Sequence, residues 1–224
     1  DGTGEAPFAG QVAIEGNRIT AVLRGEAMPP AADGVVVDGQ GAMLMPGLVN
    51  AHAHPSFANL PRLEALGEIP PEEHTLLTMH HAKLLLDQGF TSVFSAASAK
   101  PRLDIVVRNA IEAGEIPGPR YKACTPELTV SAGLGDMRLN HLHRDTFAVV
   151  CDGADQFRRV AREYIREGVD TFKLNISGDE FVPHAPAAAT MMSEPEIAAV
   201  CEVADVVGKG VAAHARSAEY RIKN

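Results

Sequence analysis

The sequence predicts an α/β fold in which parallel strands alternate with helices, preceded by a small all-β zone. Three observations predict it. From Met43 onward, apolar runs of strand length alternate with amphipathic stretches of helix length. Each of the main helical stretches is followed by glycine, the usual left-handed stop. Before Met43 the pattern has period two and is punctuated by turn residues. Strand, helix and strand repeated in this way imply parallel pairing through right-handed crossovers. A parallel barrel and a doubly wound sheet both satisfy that pattern.

Residues 1–45 form the first zone. Gln11-Val-Ala-Ile-Glu15 alternates apolar and polar, Gly16-Asn17 supplies a turn, and Ile19-Thr-Ala-Val-Leu23 returns. A Pro-rich loop at 29–34 leads to a third short strand at 35–39. This zone has too little apolar surface to fold alone. Beyond it, strands are predicted at 48–54, 92–96, 120–124, 171–176 and 211–215. Helices are predicted at 74–88, 103–113, 154–167 and 195–207, ahead of Gly89, Gly114, Gly168 and Gly208. Ser193 with Glu196 three residues on predicts a capping box for the last helix. In the third helix, Phe157, Val160, Ala161, Tyr164 and Ile165 form one apolar stripe. Its Arg158, Arg159, Arg162 and Arg166 are predicted to be a solvated face.

Composition excludes several classes. The 224 residues are 46% hydrophobic and 22% charged, which is globular rather than disordered or fibrous. A net charge of −9 repels phosphate backbones, so no nucleic-acid partner is expected. No apolar run approaches the ~18 residues of a membrane span. Cys124, Cys151 and Cys201 are odd in number and form no CxxC, which favours a reducing, cytoplasmic compartment.

The chemistry concentrates at strand ends. His52 and His54 lie two apart at the end of an apolar strand, so they share a face and can chelate one divalent ion. Pro55 stops the strand after them. Lys173 interrupts a strand that is apolar on both faces. A buried ammonium must lose its proton, find a partner or be modified. Three outcomes are open at this point: pairing with a nearby acid, snorkelling out at the strand end, or uptake of carbon dioxide to give a carbamate. His214 sits near the end of the next strand, far enough on for a loop, a helix and a strand between. All four residues fall where α/β folds place their sites. His74, His80, His81, His141, His143 and His184 are expected not to be ligands, and Cys124 is expected to be an inert buried thiol.

These pieces resemble the amidohydrolase superfamily. The resemblance is carried by Ala13-Ile-Glu-Gly-Asn-Arg-Ile19, Met45-Pro-Gly-Leu-Val-Asn-Ala-His-Ala-His54, Ala110-Ile-Glu-Ala-Gly-Glu-Ile-Pro-Gly118, Asp152-Gly-Ala-Asp155, Phe172-Lys-Leu-Asn-Ile-Ser-Gly178 and Ala213-His-Ala215. The branch most similar holds imidazolonepropionase-like hydrolases, prolidase-like carboxypeptidases and phenylurea or carbamate hydrolases. The resemblance implies a TIM-like (β/α)8 metal-dependent hydrolase barrel, here incomplete at about five strands over 46–224, with part of a small β-sandwich at 1–45. It implies two divalent metals, zinc above all. His52 and His54 would hold one, His214 the other, and Lys173 as a carbamate would bridge them. A metal-bridging hydroxide would attack a carbonyl carbon.

Such enzymes also use a histidine from the sixth strand and an aspartate from the eighth as general base. The catalytic aspartate is therefore expected beyond the end of this sequence. Two further departures are Gly133-Leu-Gly-Asp136, where relatives often have Gly-His-Gly-Asp, and Gly178-Asp179, where they often have Gly-Gly. The expected function is hydrolysis of amide-type C–N bonds in dipeptides, cyclic amides, ureas or carbamates. Ser177 and Arg216 are expected to bind substrate. The alternatives are a one-metal deaminase on the same scaffold and a catalytically inactive fragment. The open edge of the fifth strand predicts a homo-oligomer or a complementing chain.

Overall fold

A computed structural model describes residues 3–25, 33–142 and 145–217 of the chain. They fall into two units, Asp1–Gly47 and Leu48–Asn224. In the first unit, β1 (Gly10–Glu15) and β2 (Arg18–Arg24) pair antiparallel around Gly16, whose φ of +60° suits a residue without Cβ. Arg24 lies 4.1 Å from the Phe8 ring centroid and reaches Glu5 at 3.2 Å. The third strand predicted at 35–39 does not form, and Val35 and Val37 are 92% and 86% exposed. A β-branched run needs a neighbouring strand to take up its amides, and none of the described residues supplies one here. Residues 29–32 of the predicted Pro-rich loop lie outside the described residues.

The second unit runs β3 (Leu48–Ala53), α1 (Ala65–Glu68), α2 (Pro71–Asp87), β4 (Phe90–Ser95), α3 (Leu103–Glu112), β5 (Arg120–Lys122), β6 (Cys124–Thr129), β7 (Ala148–Val150), α4 (Ala154–Glu167), β8 (Thr171–Asn175), α5 (Glu194–Val206) and β9 (Gly210–His214). Every strand pair in it is parallel. The strands are ordered β3-β4-β5 and β7-β6-β8-β9. The two sheets meet at Ala123. Before it, β5 pairs with β4; after it, β6 pairs with β8 on one side and β7 on the other. The strand predicted to stop at 124 therefore continues to Thr129. Pro126 disguised it, and a register shift between Cys124 and Glu127 accommodates the proline. Strand β7 is only three residues long and has no period to detect.

The helices pack as their stripes predict. Phe157, Val160, Ala161 and Tyr164 of α4 are buried against a core that includes Phe172, Leu174 and Val200. The arginine face stays outward, with Arg158 reaching Asp155 and Glu202. Gly89, Gly114, Gly168 and Gly208 all have positive φ, so the four stops act as predicted. The capping box forms too: the Glu196 carboxylate takes the Ser193 N–H at 2.7 Å. Its other oxygen takes the Gly153 N–H at 2.8 Å, which ties the start of α5 to the start of α4. Helix α2 begins a turn earlier than predicted because Pro71 suits the first helical position.

A buried acid fastens α3 beneath the bend. Asp104 is fully buried, donates its N–H to Ser98 Oγ at 3.3 Å, and accepts the Cys124 N–H at 3.5 Å. Burial pushes its carboxyl up to about 6, against hydrogen bonds from Ser95, Cys124, Tyr121 and Ser98 that pull it down. A folded-state pKa above the ordinary 3.8 means that the folded chain holds this proton more tightly than the unfolded one. Its stabilising share is full below the unfolded pKa and is lost as pH rises through about 6, a change on the order of 3 kcal/mol. Urea unfolding of Asp104→Asn and the parent checks this. The variant should gain on the parent by up to about 3 kcal/mol between about pH 4 and about pH 7. A difference that does not vary with pH would contradict the assignment.

A second prediction concerns Gly178, just past β8. A Cβ built there would lie 1.8 Å from the Ala185 carbonyl oxygen and 2.6 Å from that of Pro186. Both obstacles are backbone and cannot swing aside. Gly178→Ala should lower the thermal midpoint by more than about 2 °C, as a change of more than about 1 kcal/mol does in domains of this size. An unchanged midpoint would show that the turn is looser than this packing implies.

Candidate metal centre

Three of the residues singled out by the sequence, His52, His54 and His214, lie at or just past the C-terminal ends of parallel strands, and Lys173 lies within one. His52 lies near the end of β3 and His54 just beyond it. Their ring centroids are 5.3 Å apart at an interplanar angle of 65°. The turn after them is held by α2. His74 Nε2 lies 2.6 Å from the Ser56 carbonyl and His81 Nδ1 lies 2.9 Å from that of Pro55. Ser56 Oγ accepts the Ala99 N–H at 2.9 Å, and the Phe57 ring centroid lies 4.5 Å from that of His54. His74 and His81 thus position the turn that carries the two candidate ligands.

Lys173 is in the middle of β8, flanked by β6 and β9, and is 2% exposed. Its backbone N–H goes to Thr125 Oγ1 at 3.0 Å. Cross-strand register pairs Lys173 with Glu127 on β6, and Asn175 with His214 on β9. Residues in register on parallel strands share a face, so Glu127, Lys173, Asn175 and His214 line one side of the sheet. His214 Nε2 lies 3.2 Å from the Gly178 carbonyl and 3.2 Å from an Asp179 carboxylate oxygen. That leaves Nδ1 as the nitrogen free to donate to a ligand.

The four groups sense one another's charge. Burial lowers the pKa of His52, and Lys173 and His214 lower it further. Burial, then Lys173 and His52, take His54 down to about 4, with the Ala97 backbone opposing. Burial also lowers His214, while the Gly178 carbonyl and Asp179 pull the other way. Burial lowers Lys173 against the attraction of Glu127. These shifts keep the imidazoles neutral near pH 7, as metal donors must be. They also favour the uncharged amine of Lys173, the form that takes up carbon dioxide.

The donor set suits a cation in one specific respect. Among the described residues His54 Nδ1 is buried without a hydrogen bond of ordinary geometry, although the Ala97 backbone lies close enough to act on the ring. A buried polar atom of this kind calls for a partner, and a bound ion would be one. Among the described residues, no three His, Cys, Asp or Glu side chains converge as an ion-holding group by themselves. A cation held by these histidines would need Lys173 as well, through the two oxygens that a carbamate on its Nζ would present.

Three residues of the site were not singled out by the sequence. Glu127 is buried opposite Lys173 and accepts Asn175 Nδ2 at 2.6 Å. Asn175 also gives that amide to the Leu134 carbonyl at 2.9 Å, which anchors the Gly133-Leu-Gly-Asp136 loop. The sign of Glu127 was an acid inside an apolar run, hidden by Pro126. Asp179, noted only as a departure, contacts His214 and accepts Arg216 at 2.7 Å.

Arg216 reaches Glu180 at 2.7 Å as well, so its guanidinium is occupied by two carboxylates. Ser177 Oγ accepts the Arg216 N–H at 2.8 Å and faces the Gly178 carbonyl. In this geometry both expected substrate-binding residues brace the turn after β8. Burial pushes the Cys124 thiol up to about 12, which favours its protonated form. His184 lines a cleft of about 610 Å³ with Arg62, Asp136, Arg138 and Phe181, while His143 lies outside the described residues.

Comparison with known proteins follows the same lines. The sequence matches the amidohydrolase family over residues 43–224, and no curated protein matches it. Among solved structures it is similar to a prolidase complexed with N-methylphosphonate-L-proline, at 29% identity and a TM-score of 0.80, covering 92% of this chain and 51% of that one. It is similar to another amidohydrolase at 28% identity and a TM-score of 0.79, covering 91% and 51%. Phenylurea hydrolase B shares the fold at 22% identity and a TM-score of 0.69, covering 92% and 50%. The chain thus spans about half the length of the structures it matches. Its parallel strands form an incomplete TIM-like (β/α)8 barrel, and the chain belongs to the amidohydrolase family.

Proposed function

We propose that the protein is a metal-dependent hydrolase of amide-type C–N bonds, with dipeptides ending in proline as the first substrate class to test. One observation carries the reading. His52, His54 and His214 all feel the charge of the buried Lys173, and His54 Nδ1 is buried there without a hydrogen bond of ordinary geometry. Family membership supports hydrolysis, and the prolidase at 29% identity supports the dipeptide class. Cyclic amides, ureas and carbamates share the same reacting group and are the next substrates to try.

In this reading His52 and His54 hold one divalent cation, zinc being the expected ion, and His214 Nδ1 holds a second. Lys173, carboxylated on Nζ, joins them. When bound, such ions lower the pKa of water and polarise a carbonyl. The chain's own residues arrange the rest. His74 and His81 hold the His52–His54 turn against α2. Asp179 and the Gly178 carbonyl fix the His214 ring through Nε2. Arg216 keeps Asp179 in place, and Ser177 fastens the Arg216 backbone. None of these side chains is assigned as general base.

The proposal extends to the surroundings of the site. β9 is the outer strand of its sheet, and its free edge suits a further strand, from this protein or from a second chain. The three free cysteines suit a reducing cytoplasm. Among the described residues no helix is long and apolar enough to cross a membrane.

A second reading rests on Glu127. An acid facing Lys173 can keep the lysine as an ammonium, which leaves a one-metal site of the deaminase type. Metal content separates the two. Elemental analysis of the zinc-loaded protein should give about two ions per chain under the first reading and one under the second. Lys173→Ala should lose most of the metal, and Lys173→Glu, which restores a carboxylate, should regain part of it. Unchanged metal content in Lys173→Ala would reject the bridging role.

A further inference from the structure

Glu127 lies on the interior face directly across from Lys173, and the hydrolase reading gives it no task. It is 7% exposed, and its Oε2 accepts Asn175 Nδ2 at 2.6 Å. The fold makes room for it. Gly135 has a φ of +94°, and a Cβ there would lie 3.0 Å from Glu127 Oε2 and 2.8 Å from the Ala148 Cβ. A glycine at that place lets the loop close over the carboxylate.

A buried carboxylate needs a counter-charge. With Lys173 as an ammonium, the lysine supplies it. Carboxylation of Lys173 removes it: the ammonium loses one proton to free the amine, the amine nitrogen bonds to the carbon of CO2 and loses a second, both protons leave to solvent, and the cation becomes an anion. Two negative groups would then stand in register on neighbouring strands. Bound cations can offset that pair of charges. Asn175 keeps the acid aimed. Its amide group is committed to Glu127 and to the Leu134 carbonyl, so the carboxylate cannot rotate away without breaking a buried bond.

We infer that Glu127 is a positioning residue of the cation site, which contributes its charge to divalent-ion binding once Lys173 is carboxylated. The inference rests on the two-cation reading and deepens it. It also explains how one chain can hold both an acid partner for Lys173 and a carbamate at Lys173: the first serves the ion-free protein and the second the loaded one.

The test is a calorimetric titration of zinc into the purified full-length protein and its Glu127→Gln and Glu127→Asp variants. Each protein is prepared in 13C-bicarbonate and followed in parallel by the carbamate carbon resonance. The parent should bind zinc and gain the resonance. Glu127→Gln keeps the shape and removes the charge, so zinc should bind about 10- to 100-fold more weakly, the scale for a residue that supports a metal site. Near-UV circular dichroism should be unchanged. Glu127→Asp should recover part of the affinity, which a purely steric role would not produce. If Glu127→Gln fails to fold, Asn175→Leu, which frees the carboxylate to rotate, should weaken zinc binding in the same direction. Equal affinity in the parent and Glu127→Gln would overturn the role of Glu127 and leave the metal site standing. A parent that binds no zinc would overturn the metal site and this inference together.

Discussion

The structure depends on one constraint: the amine of Lys173 has almost no access to water. Strand β8 is covered on both faces and flanked on both edges, so a side chain there meets protein in every direction. An ammonium in such a place is unstable unless something answers its charge. Everything else at the strand ends can be understood as an answer. Glu127 faces it from β6. His52, His54 and His214 are held neutral close by, partly by the charge of the lysine itself. The site is a place where removing water has made charge expensive and ligand binding favourable.

The supports around it follow from the same logic. Each candidate ligand is braced by a group that has no chemistry of its own. Two histidines of α2 hold the turn after His54. Asp179 and a backbone carbonyl take one nitrogen of His214, and Arg216 holds Asp179. Gly178 lets the chain pass within van der Waals distance of residues 185 and 186, which brings Asp179 back onto the ring. Precision at the strand ends is thus set by turns, and the turns are set by residues that pack rather than react.

Much of this was legible from residue order. The His-x-His pair, the lysine in an apolar strand and the four glycine stops are local patterns, and local geometry decides them. The α4 stripe and the Ser193–Glu196 box were legible for the same reason. What stayed hidden depends on partners distant in sequence. The 35–39 run has strand-forming residues but no neighbouring strand, so composition alone misleads. Strand β6 looked interrupted at Pro126, because a bulge that tolerates proline is set by the register of β8, some 45 residues away. Glu127 was lost with that strand. Asp179 was visible as an unusual residue, but its contact with His214 depends on a turn that the sequence does not spell out.

Arg216 shows contacts that residue order did not foresee. By position it looked suited to a substrate carboxylate. In the fold its guanidinium lies between Asp179 and Glu180, so its charge is used within the protein.

Diffraction from zinc-loaded crystals, recorded with anomalous scattering at the zinc edge, tests the central claim most directly. The account predicts two peaks about 4 Å apart. One should lie against His52 and His54 and the other against His214, with continuous density from Lys173 Nζ between them. A single peak, or no peak beside Lys173, would contradict it.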